Sequence, residues 1–297
     1  MKKWICTLSL HAIANFLLAQ SPEDLKRLEA FEKQVNTPIV FSVHSTKTIA
    51  VRKDLQYDLQ DVSRKMDVYL VDDKNPKPLV ILIHGKTPIR TNPKNWGVYE
   101  SWGKLLATEG FVTTAFTHSL ALPGKSLEDA SLDLDAAITY LKSQWKELSI
   151  DTTRIALAAF SAGSPLMSDA VMKQDKNIKA LVSFYGFLSI EGIQLYGQVS
   201  AATVAKFSLI NCIDITTGSF PPIFIAQAGK EHNQGLNQSI NNFVSNASIH
   251  NIPIAFFNHP TGVHGFDNQN DDARSREIIQ SMLNFLHTHV GNRNSDK

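Results

Sequence analysis

Apolar residues recur along this chain at two spacings, and the alternation between them predicts a layered α/β protein. Ser21-Pro-Glu-Asp24 opens a helix, since serine caps, proline suits the first helical position, and acids favour the first turn. Leu25, Leu28, Phe31 and Val35 follow at helical spacing, which predicts a short amphipathic helix packed on the body of the protein. Strands are expected next over residues 38–44, 48–55 and 65–71. In the third, Met66, Val68 and Leu70 alternate, and the three together read as the antiparallel edge of a sheet.

From residue 79 the rhythm becomes strand, helix, strand, helix. Residues 79–83 are continuously apolar, as in a central strand covered on both faces. A helix over 100–108 and a strand over 111–117 follow. Ser126 then caps a long helix, with Asp129 at the capping-box position and a stripe of Leu134, Ile138, Leu141 and Trp145. Strands are expected over 155–160, 178–185, 222–228 and 252–257, with helices over 164–173, 236–247 and from 271 to about 290. The fold class this predicts is α/β, a mostly parallel central sheet with antiparallel N-terminal edge strands and helices on both faces. Residues 187–221 break the rhythm and predict a lid-like, pocket-forming insertion.

Composition narrows the function. The 297 residues are 43% apolar and 19% charged, with formal net charge +1. That near-neutral balance, without a basic run, leaves no electrostatic footprint for nucleic acid. Residues 1–20 differ in kind: Lys2 and Lys3 precede an apolar core over 4–19, broken by Thr7, Ser9, His11 and Asn15. This is a signal-peptide pattern, too short and interrupted to span a bilayer, with cleavage expected after Ala19 or Gln20. The mature chain is then secreted or periplasmic, has no membrane span, and keeps Cys212 alone, so no internal disulfide forms.

Candidate chemistry gathers after the predicted strands. Residues 155–160 end in Ala159-Phe-Ser161-Ala-Gly163, an A-x-S-x-G elbow between strand and helix. A serine presented at such a strained turn needs small neighbours, and Ala159, Ala162 and Gly163 meet that need. Its base is expected to be His264, between Gly262 and Gly265, with His259 the competitor; His84 and His118 precede the acid in the chain and His232 directly adjoins it, so none has the right chain position. The acid is expected to be Glu231, with Glu191 and Asp267 as alternatives. The N–H groups of Ala162 and Lys86, the latter in His84-Gly85-Lys86-Thr87, are the expected oxyanion donors. The loop over 86–98 with Trp96, and residues 187–221 with Tyr196, are expected to shape the pocket. H-E-x-x-H, zinc-type cysteine sets, a P-loop and G-x-G-x-x-G after the first parallel strand are all lacking, so no metal and no cofactor are implied.

These residues carry a resemblance. Met66-Asp-Val-Tyr69, Leu82-Ile-His-Gly85, Phe160-Ser-Ala-Gly163, Phe184-Tyr-Gly186, Ala228-Gly-Lys-Glu231 and His264-Gly-Phe-Asp267 make the chain similar to the α/β-hydrolase superfamily, in its dienelactone-hydrolase-like and small-esterase branch. The resemblance runs from about residue 51 to 290 and implies one hydrolase domain over 21–297. It also implies a serine hydrolase of carboxylic esters, with a triad matching Ser161, Glu231 and His264. The expected substrate is a small-molecule or saccharide-linked ester. Three departures limit the match: Ala159 stands for the first elbow glycine, Glu231 for the more usual Asp, and His84-Gly85-Lys86 lacks the extra glycines of many esterases; Ser161 in place of Cys also argues against a true dienelactone hydrolase. A serine peptidase, a thioesterase and a hydrolase-fold binding protein without turnover are the rivals.

Overall fold

Continuous apolar runs become the centre of an eight-stranded sheet in a computed structural model, which describes residues 22–42, 48–86, 91–121, 125–216 and 220–291. The expected signal peptide and the capping Ser21 lie outside these residues. The strands are β1 (Ile49–Gln56), β2 (Lys65–Val71), β3 (Lys77–Ile83), β4 (Val112–Phe116), β5 (Ile150–Phe160), β6 (Ile178–Phe184), β7 (Ile223–Lys230) and β8 (Ile254–Val263). Their order is β1-β2-β4-β3-β5-β6-β7-β8. β1 and β2 pair antiparallel, β2 meets β4 antiparallel, and β3 through β8 run parallel.

Each face of the sheet carries its own apolar layer. Leu79, Ile81 and Ile83 of β3 face one cluster, and Val80 and Leu82 face the other. The unbroken run is therefore buried on both sides, as its composition predicts. On the second face lie α2 (Gly97–Thr108) and the C-terminal α7 (Ala273–His289), through Trp102, Leu105, Met282 and Leu286. On the first lie α3 (Leu127–Ser143), α4 (Leu166–Met172), α5 (Ala201–Phe207) and α6 (Leu236–Ile249). α3 begins with the expected capping box: Ser126 Oγ accepts from Asp129 N–H, and the Asp129 carboxylate accepts from Ser126 N–H. The N-terminal α1 (Pro22–Asn36) turns Val35 inward, as its stripe predicts.

Three expectations need correction. Residues 38–42 form no strand; Ile39 N–H donates to Ser101 Oγ at 3.0 Å and Val40 N–H to the Asp267 carbonyl at 2.8 Å. The backbone there is satisfied by α2 and by the Asp267 loop instead of by a sheet neighbour. The stripe of α3 stops at Leu141: the helix ends at Ser143, and Trp145 beyond it is exposed. Finally, the last strand starts at Ile254 and continues past 257 to Val263, so His259 lies inside β8. The described residues of 187–221 hold no strand but do hold α5 and a helical turn at Cys212–Ile215. Phe187, Leu188, Phe207, Leu209 and Cys212 in that stretch join the core, because its apolar positions find the α4 and α6 side of the sheet.

Candidate active site

The site lies at the C-terminal ends of β3, β5, β7 and β8, where parallel sheets leave a crevice. β5 ends at Phe160, and Ser161 follows with φ +53°, a left-handed conformation that costs a non-glycine residue energy. A tight helical turn over Ser161–Gly163 continues into α4. The turn fits because its flanks are small. A Cβ at Gly163 would stand 2.3 Å from the His84 carbonyl oxygen, so no other residue lets the elbow come this close to the end of β3. Ala159 is fully buried between Ile83 of β3 and Ser183 of β6.

Sheet register brings the other two groups together. Ala228 pairs with His259 and Lys230 with Val263, so two residues of β7 span four of β8. This bulge makes the residues that follow, Glu231 and His264, neighbours across the strand ends. His264 Nδ1 lies 2.6 Å from Glu231 Oε2, and the other carboxylate oxygen accepts from Asn233 N–H and Nδ2, each at 2.7 Å. Burial pushes the Glu231 carboxyl upward, but the bonds from His264 and Asn233 outweigh it and hold the group below its ordinary range. An ionised Glu231 therefore keeps the proton on Nδ1 and leaves Nε2 free to act as a base.

Ser161, His264, Gly85 and Lys86 line one cavity of about 100 Å³, together with Trp96, Tyr99, Tyr185 and residues of α1. Ser161 Oγ makes no hydrogen bond among the described residues. Such contacts are commonly long without substrate and tighten when it binds. Beside the cavity runs a groove of about 580 Å³, lined by Glu191, Leu195, Asn233, Gln234, Gln238 and Asn242, among others.

The remaining candidates separate from this centre. His259 is buried, with Nε2 at 3.1 Å from both Asp272 Oδ1 and Ser275 Oγ, and it fastens the start of α7. Glu191 is exposed on the groove. Asp267 is wholly buried beneath the site, accepting from Tyr185 Oη at 2.7 Å and Trp102 Nε1 at 2.8 Å. Burial raises its carboxyl above the usual range despite those donors. Tyr185 in turn packs its ring 4.6 Å from that of His264. No local spacing predicts this support; its signals in the sequence are the Phe184-Tyr-Gly186 and His264-Gly-Phe-Asp267 motifs. His84 and His118 stack at 3.5 Å in the interior, where His84 Nδ1–H donates to Gly85 O and Nε2 accepts from His118 N–H. Tyr196, expected in the pocket, instead donates its hydroxyl to the Ala162 carbonyl at 3.1 Å and braces the elbow from the 187–221 segment. Trp96 does line the cavity; residues 87–90 of the same loop lie outside the described residues.

Among the described residues no cluster of metal-ligating side chains occurs, and no helix is long and apolar enough to cross a membrane. Sheet order, elbow and strand-end site together define an α/β-hydrolase fold. Within that class the chain belongs to the BD-FAE family, whose profile matches residues 66–283. Esterase B from Lactobacillus rhamnosis, inhibited by a tributyrin phosphonate, is similar in structure with TM-score 0.72 and 14% identity, over 92% of this chain and 95% of that one. The thermophilic esterase Est2 from the Planctomycetes species Thermogutta terrifontis aligns at TM-score 0.66 and 16% identity, over 89% and 100%. A truncated carbohydrate esterase from gut microbiota aligns at TM-score 0.62 and 16% identity, over 85% and 99%. At these identities the likeness is one of fold. No curated protein matches the sequence.

Proposed function

We propose that the chain is an exported serine carboxylesterase that needs no cofactor. The observation that carries this is the 2.6 Å Glu231–His264 pair beside a serine on a strained elbow. Ser161 Oγ attacks the ester carbonyl while His264 Nε2 takes its proton, and Glu231 steadies the imidazolium. The N–H groups of Ala162 and Lys86 hold the oxyanion. Collapse breaks the bond to the alcohol, which leaves with the proton from His264. Water then attacks the acyl-enzyme with His264 again as base, releasing the acid and restoring Ser161. The groove beside Asn233 is the path for the alcohol; its amide lining suits a hydroxylated group such as a saccharide, and one structural neighbour is a carbohydrate esterase. Export rests on Lys2, Lys3 and the apolar core of 4–19, and the mass of the mature N-terminus would check it.

Hydrolysis of p-nitrophenyl acetate beside Ser161→Ala tests the activity. Loss of about 10⁴-fold or more in kcat, with the fold intact by circular dichroism, supports it. The second reading is a binding protein without turnover, favoured by the absence of a hydrogen bond on Ser161 Oγ among the described residues. Failure of a fluorophosphonate to label Ser161, with no turnover of any ester, would select that reading.

A further inference from the structure

We infer that α1 is the wall of the acyl site, and that Phe31 restricts this chain to short aliphatic acyl groups. The inference rests on the esterase reading, because it concerns the group that stays bonded to Ser161 after the alcohol leaves. The cavity that Ser161 lines is assigned to that group, and the groove lined by Asn233, whose Nδ2 lies 3.4 Å from His264 Nδ1, to the alcohol.

Three residues of α1 line that cavity: Phe31, Gln34 and Val35. They stand at i, i+3 and i+4, so one helical face forms a wall of the space. Phe31 meets Trp96 edge-on, with ring centroids 5.4 Å apart at 84°, and Trp96 stacks on Tyr99 at 6.0 Å. The helix is fixed in this position by named contacts. Asn268 Nδ2 donates to the carbonyls of Gln34 at 2.7 Å and Thr37 at 3.1 Å. A Cβ on Gly97 would stand 2.2 Å from Asn36 O, so the end of α1 rests directly on the start of α2. Ile39 and Val40, held by Ser101 and Asp267, continue the attachment.

The cavity is open to solvent on one side and its volume is about 100 Å³. An apolar cavity of about 150 Å³ accommodates benzene. The space therefore takes an acetyl to butyryl chain and leaves no room for an aryl group while α1 stays in place. One methylene too many in such a pocket typically costs about tenfold or more in kcat/KM.

The test is the ratio of kcat/KM for p-nitrophenyl hexanoate to that for the acetate, measured on the purified protein, Phe31→Ala, Phe31→Trp and the exposed-face control Glu32→Ala, with Ser161→Ala as blank. We expect a ratio of about 0.1 or less in the parent and in Glu32→Ala, at least about tenfold higher in Phe31→Ala, and lower still in Phe31→Trp. Melting temperatures identify a variant that has lost its fold; if Phe31→Ala does, Phe31→Leu replaces it with a smaller change in volume. A parent that cleaves hexanoate as well as acetate, or folded Phe31 variants with the parent ratio, would overturn the inference while leaving the esterase intact. Absence of any Ser161-dependent hydrolysis would reject the esterase reading and this one with it.

Discussion

Glu231 divides its two carboxylate oxygens between His264 and Asn233, and that division supports its proposed role as the acid despite the extra methylene it has over aspartate. Glu231→Gln keeps the shape but can present an amide N–H to Nδ1, which favours the wrong tautomer. We expect kcat to fall by about 10³- to 10⁴-fold with little change in melting temperature, read by ester hydrolysis and thermal unfolding. The depressed carboxyl also has a stability consequence. Its contribution is full above the ordinary carboxylate value of 4.5 and is lost as pH falls through the lower folded value. Ser161, Glu231 and His264 were legible in the sequence because each sits beside small or glycine residues just after an apolar run. Asp267 was legible only as an alternative acid. Its use, under Tyr185 and Trp102, depends on partners 82 and 165 residues away.

Among the elements, the elbow and the cap of α3 behave as local chemistry demands. Gly163→Ala puts a methyl against the His84 carbonyl, so backbone must move at both the elbow and the end of β3, where the proposed oxyanion donor Lys86 follows. Esterase activity should fall by about 100-fold or more, since a misplaced oxyanion donor costs that much, and the melting temperature should drop as well. Ser126→Ala removes a capping box far from the cavity. It should cost about 1 kcal/mol in urea unfolding and leave kcat unchanged. Strand ends were less legible than strand centres. Residues 258–263 look like a loop because His259-Pro-Thr-Gly262 signals a turn, yet β8 runs through them by bulging against β7. Residues 38–42 fail the other way: an apolar pattern suited to a strand is spent on burying Ile39 while the backbone bonds to Ser101 and Asp267.

The whole molecule carries a pH limit in its interior. Burial pushes the His84 imidazole down to about 3, and burial with the neighbouring His84 takes His118 well below its ordinary value. Both therefore stay neutral in the fold, whereas the unfolded chain takes up protons below about 6.5. Their stability contribution is full above that pH and is lost as pH falls below it, on the order of 2 kcal/mol for each histidine at pH 5. Neither ring nitrogen of His118 has a partner among the described residues. His118→Phe should thus keep the melting temperature at pH 7 or raise it, and flatten its decline between pH 7 and 5, as calorimetry would show. The sequence by itself determined the alternation of strands and helices, the small residues of the elbow, and the order Ser161, Glu231, His264, because periodicity and steric fit act over a few residues. Tertiary structure alone decided that a bulge sets Glu231 beside His264, that Phe31 lines the cavity, and that two histidines stack beside the Gly85 turn. Those outcomes depend on which distant surfaces pack together, and no spacing within a segment encodes that choice.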